Sequence, residues 1–343
     1  MRRIALTLAL LLTSFAVSLT RPQTETKTIP LSEVSGAVNI GDDRVLLVAD
    51  EGYQVQVVAH AAATFKAGDA KGFTDNMKPP SPKTDGSKGT IDDLEDAAWD
   101  SKRQVAFLIT SHSRSKKQDN VPDPKADKPA RHKLARIFLK AGSTDDPVEI
   151  DVLEEALKKF PFIVEAMKQP HQNGGNTGTF NIEGLAFDEK SGALLIGLRS
   201  PTQACKSKSC AVVLTLKNPH ELFDKPPAIP KFDPKPRLLD LGGLGIRGMT
   251  YDAQKKGIWI VAGRSDDPDT PTNDVLSTLW FWDTTKPDRP PRKAKTDSLK
   301  LAGLNPESVC LLDRDGKRGL LLISDDGGEN NQSRYLWTPI PEL

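Results

Sequence analysis

Residues 182–201, with the sequence IEGLAFDEKSGALLIGLRSP, decide the fold. They contain two short apolar runs on either side of a DEKSG segment, which is the pattern of a β-hairpin. Four further stretches repeat it: SGAV leads to VLLVADEG, EDAA to VAFLITSHS, RGMT to IWIVAGRSD and ESVC to LLLISDDGG. The five copies start at residues 35, 95, 183, 247 and 307. Self-similarity of this kind predicts a repeat architecture.

Each copy extends to further strands. After the central copy come AVVLTLK and PRLLDLG; KLARIFLK is the third strand of copy two, and LSTLWFWD and SLKLAGL are the third and fourth of copy four. Four strands in a repeat of roughly 60 residues are typical of β-propeller blades. We therefore predict an all-β fold, a β-propeller of five four-stranded blades. A degenerate sixth blade between residues 117 and 180 is the alternative.

The two ends of the chain are predicted to share a blade. The last copy has only three strands, and the third is RYLWTPI. The segment KTIPLSEV precedes the first copy and can supply the missing strand. Such closure removes the open sheet edges that would otherwise invite aggregation.

One helix and two loops interrupt the repeats. The segment DVLEEALKKFPFIVEAMKQ has apolar residues at helical spacing, so we predict an inserted helix near residues 151–169, although Pro161 interrupts it. Residues 78–90 and 115–133 are rich in Pro, Lys and Asp and are predicted to be mobile loops. Their interspersed Asp residues and lack of aromatics favour solvated loops over nucleic-acid binding.

The overall charge indicates which partners to expect, and the N-terminal residues indicate the location of the protein. The chain has 47 basic and 46 acidic residues, so no overall field predicts a nucleic-acid or anionic-lipid partner. Residues 1–20 have the charged, apolar, small-residue order of a signal peptide; an uncleaved anchor is the alternative. We expect a single propeller domain over residues 25–343, exported to the bacterial periplasm or the extracellular space, monomeric, and without a membrane span in the mature form.

Three cysteines can be assigned by their surroundings. Cys205 and Cys210 flank KSKS, and we predict a local disulfide between them. Cys310 lies in an apolar strand and is predicted to be an inert core residue. The spacing does not fit a structural zinc site, which takes four ligands.

We expect candidate functional residues at the starts of the five first strands, because the first strand of each blade lines the central channel of a propeller. Carboxylates that meet there repel by about 4 kcal/mol at a separation of 4 Å, so a cation must compensate. One solution is a calcium ion held by the three glutamates and the serine. The other is the arginine, whose guanidinium can bridge carboxylates. The sequence leaves both open. The ring consists of Ser35, Glu95, Glu183, Arg247 and Glu307.

A second set of residues follows the second strands and reaches the same mouth. Together with Arg247, these residues suit a phosphate or carboxylate group of a small anionic ligand. The alternative is that each arginine pairs with a neighbouring acid and joins the blades. His112 is the candidate general base. The predicted ligand-binding residues are Asp50, Arg199, Arg247, Arg264 and Asp325.

The repeats IEGLAFDEKSGALLIGLRSP, EDAAWDSKRQVAFLITSHSR and SGAVNIGDDRVLLVADEG resemble the bacterial family called domain of unknown function 3616. This resemblance implies a propeller-like fold and no established activity. More distantly, the chain looks like phytase-like and esterase-like exported propellers. The ring is similar to that of calcium-dependent apyrases, which implies that Ser35, Glu95, Glu183 and Glu307 are calcium ligands. Arg247 departs from that pattern.

Two functions are consistent with these observations. The first is a propeller that binds a small anionic ligand at the axial mouth and, as an enzyme, hydrolyses a phosphate or carboxylic ester with metal help. The second is a non-catalytic interaction or scaffold module that binds a protein or polymer partner. The sequence does not decide whether the protein is an enzyme.

Overall fold

The computed structural model describes most of the chain from residue 27 onward. It leaves out residues 1–26, 30, 32, 43, 51–54, 62–63, 67–90, 92, 114–130, 141–142, 145–147, 169–179, 207, 226, 266–276, 297–303, 315 and 325–332. The predicted signal peptide, the predicted loop at 78–90 and all but the last three residues of the loop at 115–133 therefore lie outside the described residues. None of the described helices is long and apolar enough to cross a membrane.

Five antiparallel sheets contain all the named strands of the described chain. Sheet 1 consists of β2 (Val34–Gly41), β3 (Arg44–Ala49), β4 (Val55–Ala61) and β5 (Thr64–Lys66). Sheet 2 consists of β6 (Leu94–Asp100), β7 (Val105–Thr110), β8 (Leu134–Lys140), β9 (Ser143–Thr144) and β10 (Val148–Ile150). Sheet 3 consists of β11 (Asn181–Asp188), β12 (Ala193–Ser200), β13 (Gln203–Cys205), β14 (Lys208–Leu216) and β15 (Arg237–Leu239).

Sheets 4 and 5 complete the set. Sheet 4 consists of β16 (Gly245–Asp252), β17 (Gly257–Gly263), β18 (Thr278–Asp283) and β19 (Arg292–Lys293). Sheet 5 consists of β20 (Pro306–Leu311), β21 (Gly319–Ser324), β22 (Ser333–Pro339) and β1 (Lys27–Ile29). Because β1 pairs with β22, the two ends of the chain share a sheet, as the sequence predicts.

The first strands of the sheets form a closed ring. In cyclic order β2 packs on β6, β6 on β11, β11 on β16, β16 on β20, and β20 again on β2. This is the arrangement of a propeller, and the predicted all-β propeller-type fold is confirmed. The described part of the segment considered for a further blade, 117–180, contributes β8 to β10 of sheet 2 and two helices.

Apolar side chains fill the space between each pair of neighbouring sheets. Strand β7 shows how, since its alternate residues point in opposite directions. Phe107 and Ile109 pack toward sheet 3, whereas Ala106 and Leu108 pack toward sheet 1. Both faces of such a strand are buried, which explains why the second run of each copy is apolar throughout rather than alternating.

Three helices and one strand differ from the sequence prediction. The predicted helix near 151–169 is two helices, α1 (Leu153–Leu157) and α2 (Pro161–Lys168), because Pro161 cannot continue a helix and instead begins one. Helix α3 (Pro219–Asp224) was not predicted. The run SLKLAGL, predicted as the fourth strand of copy four, lies outside the described residues except for Leu304; the outer strand there is β19.

The cysteines are arranged as predicted. Cys205 and Cys210 form a disulfide between β13 and β14, with their Cα atoms 5.8 Å apart. Cys310 is a free thiol in the core between sheets 5 and 1. Burial raises the pKa of the Cys310 thiol far above its usual range.

Candidate functional site: the axial mouth

Each ring position is the site of a β-bulge. In every first strand the pairing with the second strand skips one residue, and the skipped residue is the ring residue. A bulge leaves one residue out of the ladder and turns its side chain away from the regular alternation. The β-bulge therefore turns the side chain of each ring residue out of the regular strand pattern at the start of its strand. The five bulged residues are Ser35, Glu95, Glu183, Arg247 and Glu307.

A small residue after the bulge allows neighbouring first strands to approach. A Cβ atom on Gly36 would lie 2.5 Å from the Cα of Asp96, and one on Gly248 would lie 2.5 Å from the carbonyl oxygen of Glu307. Both distances are shorter than any non-bonded contact allows. The glycines thus let the ring residues of adjacent sheets come close together.

Arg247 lies between two of the ring glutamates. Its guanidinium is 3.0 Å from the carboxylate of Glu183 on one side and forms an ion pair with Glu307 on the other. The side chains of Glu183 and Arg247 are only 6% and 10% exposed. Arg247 therefore joins three successive inner strands and supplies the cation that the ring requires.

Glu183 receives further donors from its own sheet. Arg199 Nη1 lies 2.7 Å from its Oε1, and Asn181 Nδ2 donates to the same oxygen at 2.9 Å. Arg199 in turn donates through Nε to the carbonyl oxygen of Arg264 at 3.3 Å. Two arginines therefore compensate the Glu183 carboxylate.

Glu95 is in a different electrostatic position. Burial raises the pKa of its carboxyl well above the usual range, and the neighbouring Glu183, Asp93 and Asp50 raise it further, while Arg247 lowers it. Within the described part of the chain, no hydrogen bond or ion pair reaches this carboxyl. The surroundings of Glu95 thus favour the protonated form of its carboxyl.

In the described ring, arginine side chains engage two of the candidate calcium ligands. Glu183 and Glu307 are bound to guanidinium groups. Among the described residues, no three His, Cys, Asp or Glu side chains are grouped as metal ligands. Of the two solutions that the sequence leaves open, the geometry favours the arginine.

The outer residues are less constrained. Arg264 is exposed, and its side chain has no acidic partner among the described residues. Asp50 donates its backbone N–H to the carbonyl oxygen of Glu33 at 3.1 Å, and its carboxylate acts on Glu95. Asp325 lies outside the described residues.

His112 is buried rather than exposed in a loop. Its Nδ1 lies 2.9 Å from the carbonyl oxygen of Thr110, and its ring stacks on His132 at 5.6 Å. Burial lowers the pKa of His112 to about 4. The predicted role as general base at the mouth does not suit a buried imidazole that binds protons so weakly.

A polar cluster beside Glu95 was missed. Asp93 pairs with Arg131 at 2.9 Å and accepts hydrogen bonds from the hydroxyls of Ser111 and Ser113. The predicted loop at 115–133 thus ends in residues that pack against the mouth. A periodic signal was available, since the residue two positions before the ring is polar in four copies: Glu33, Asp93, Asn181 and Asn305.

Asp96 was also missed. It stands where three other copies have glycine, namely Gly36, Gly184 and Gly248. Its fully buried carboxylate accepts N–H bonds from Ala97 at 2.8 Å, Leu185 at 2.7 Å and Met249 at 3.2 Å. Burial raises its pKa well above the usual range, although these N–H groups act in the opposite direction. Asp96 ties together the inner strands of sheets 2, 3 and 4.

A comparison with known protein families assigns the chain to one of them. A family model described as a protein of unknown function (DUF3616) matches residues 76–334. The chain belongs to the DUF3616 family. The predicted resemblance is therefore confirmed. No curated protein matches the chain.

Solved structures with a similar fold have little sequence in common with this DUF3616 protein. A glycoside hydrolase family 43 β-1,3-galactosidase with galactodeoxynojirimycin is 11% identical with a TM-score of 0.50, over 91% of this chain and 93% of that one. The PQQ-bound aldose sugar dehydrogenase of Streptomyces coelicolor is 12% identical with a TM-score of 0.42, over 92% and 99%. The Malassezia sympodialis allergen Mala s 1 is 11% identical with a TM-score of 0.44, over 91% and 96%. At such identities the likeness concerns the fold alone.

Proposed function

We propose that this protein is an exported propeller, with each of its five sheets forming one blade, that binds a small anionic ligand at the axial mouth. The observation that carries the proposal is the exposed guanidinium of Arg264, which has no acidic partner among the described residues. It adjoins Arg199, whose Nε donates to the Arg264 backbone. An exposed guanidinium suits a carboxylate or phosphate group.

Glu95 supports the same assignment. A protonated carboxyl can donate a hydrogen bond to an anion, whereas a carboxylate would repel it. Because burial and three nearby acids raise the pKa of Glu95, the mouth carries less negative charge than its sequence suggests. Arg199 and Arg247 are compensated by Glu183 and Glu307 and give the mouth a fixed shape.

Binding is favoured over catalysis. Metal-assisted hydrolysis of a phosphate or carboxylic ester would need Glu183 and Glu307 to give up Arg247. The candidate base His112 is buried. We therefore derive no reaction step at this mouth.

Titration calorimetry with a set of small carboxylates and phosphates tests the proposal. Arg264→Ala should weaken the binding of the best ligand by about tenfold, equivalent to about 1.4 kcal/mol. The control Arg289→Ala removes another exposed arginine far along the chain and should leave affinity unchanged. Equal affinity in wild type and Arg264→Ala would remove the mouth as the binding site.

The second candidate is an interaction module that binds a protein or polymer. Exposed apolar side chains favour it, since Ile229 and Leu238 are 68% and 40% exposed on segments that follow β14. In that case no small anion binds, and Leu238→Asp abolishes capture of the partner while Arg264→Ala does not.

A further inference from the structure

A second cavity lies at the opposite end of the strands from the axial mouth. It has a volume of about 620 Å³ and is lined by the turn between β6 and β7, the turn between β11 and β12, and helix α3. Its residues come from sheets 2 and 3, at the ends of the strands opposite those that carry Glu95 and Glu183.

An aspartate and a histidine line this cavity as a pair. The Oδ2 atom of Asp100 lies 2.9 Å from Nε2 of His220. The Oδ1 atom of Asp100 accepts the backbone N–H groups of Lys102 at 3.0 Å and Arg103 at 3.2 Å. The Asp100 side chain is only 4% exposed, so a buried and fully hydrogen-bonded carboxylate fixes one side of the imidazole.

Aromatic side chains fix the ring itself. The His220 ring meets Phe107 edge-on at 5.0 Å between centroids and Phe187 at 5.8 Å. Burial is the main cause that lowers the pKa of His220, which favours the neutral ring. With Nε2–H donated to Asp100, Nδ1 carries the lone pair. Nδ1 has no hydrogen-bond partner in the part of the chain that the structure describes.

The charged residues that line the cavity comprise five cations and four acids, namely Lys102, Arg103, Lys190, Lys217 and Lys225 against Asp100, Glu189, Glu221 and Asp224. The Glu189 carboxylate accepts a hydrogen bond from the Ser101 hydroxyl. Two of its acids have partners of their own, since Asp224 pairs with Arg136 and Glu221 lies 2.9 Å from Lys231. Three of its lysines have no acidic partner among the described residues: Lys102, Lys190 and Lys225.

We propose that this cavity binds a small anion that carries a hydroxyl hydrogen, of which hydrogen phosphate is the simplest example. The lysines compensate the charge, and Nδ1 of His220 accepts the hydroxyl hydrogen. A purely structural role, in which the Asp100–His220 bond holds α3 against β6, explains the pair itself. It explains neither the accessible volume beside the ring nor the three lysines without acidic partners.

The test uses inorganic phosphate and the imidazole ¹⁵N signals of the full-length protein. Phosphate should shift the His220 signals saturably, and Lys190→Ala/Lys225→Ala should raise the Kd read from them by about tenfold. Lys235→Ala, an exposed lysine outside the cavity, is the matched control. Both lysines of the double variant are exposed, so its folding is not at risk. Arg264→Ala should leave the His220 response intact, which separates this site from the axial mouth.

Two outcomes would overturn the proposal. The first is the absence of a saturable His220 shift up to high phosphate concentration. The second is an equal Kd in wild type and in the double lysine variant. If phosphate leaves the His220 signals unchanged and Arg264→Ala abolishes phosphate binding, phosphate binds at the axial mouth and not in this cavity.

Discussion

The guanidinium of Arg247, on β16, lies 3.0 Å from the carboxylate of Glu183 on β11 of the neighbouring sheet. The same side chain pairs with Glu307 on β20. One arginine thus connects the inner strands of sheets 3, 4 and 5 at the channel mouth. It also leaves Glu95 as the ring carboxyl without a cation bound to it in the described part of the chain.

Replacing this arginine should be costly. Arg247→Met leaves Glu183 and Glu307 buried with less compensation, and removal of one partner of a buried ion pair typically costs about 3–5 kcal/mol. We expect the free energy of unfolding in urea to fall by that amount. The control Arg264→Met, at an exposed site, should change it by less than about 0.5 kcal/mol. Equal effects of the two substitutions would contradict the assigned role.

The ring glutamate Glu95 should make stability depend on pH. Because its pKa is raised in the folded state, the folded protein binds this proton more tightly than the unfolded chain. Stability is therefore lost as pH rises from the usual carboxyl pKa through the raised one. Glu95→Gln should stabilise the protein at pH 8 and have little effect near pH 4. A stability difference that does not vary with pH between these values would show that Glu95 ionises normally.

Asp96 should be a structural link between three sheets. Asp96→Ala leaves the N–H groups of Leu185 and Met249 buried without an acceptor, at a cost of about 1–3 kcal/mol each. Hydrogen exchange of these two amides should accelerate. Asp42→Asn, at a highly exposed turn, is the control and should change neither quantity. Unchanged protection of both amides in Asp96→Ala would exclude the link.

The cysteines give a prediction that mass spectrometry can check. No cysteine of the folded protein should react with iodoacetamide, since Cys310 is buried and the other two cysteines form a disulfide. Unfolding without reductant should expose one thiol, and unfolding with reductant all three cysteines. Closing so short a loop stabilises by about 2 kcal/mol in the chain-entropy model, and Cys210→Ser should lose that amount. Three reactive thiols without reductant would exclude the disulfide.

The fold could be predicted from the sequence because its unit repeats. The apolar runs around residues 182–201 recur often enough to reveal hairpins, and β1 could be assigned to the last sheet by counting strands. The ring positions were found in the same way, since equivalent residues of a circular repeat must converge.

What the sequence did not reveal depends on contacts between different copies. The bulge at each ring position leaves no mark in one sequence, and the choice between calcium and Arg247 depends on distances across the channel. The Asp100–His220 pair joins residues that are 120 positions apart. The burial of the His112 ring against His132 also depends on residues 20 positions apart.

The central claim is that Arg247, rather than a metal ion, compensates the ring glutamates. The most direct test is the melting temperature of the protein in excess calcium and in excess chelator. We expect the two values to agree within about 1 °C in the wild type, because a ligand that does not bind the folded state cannot stabilise it. A calcium-dependent rise of several degrees that disappears in Glu183→Gln would contradict the claim.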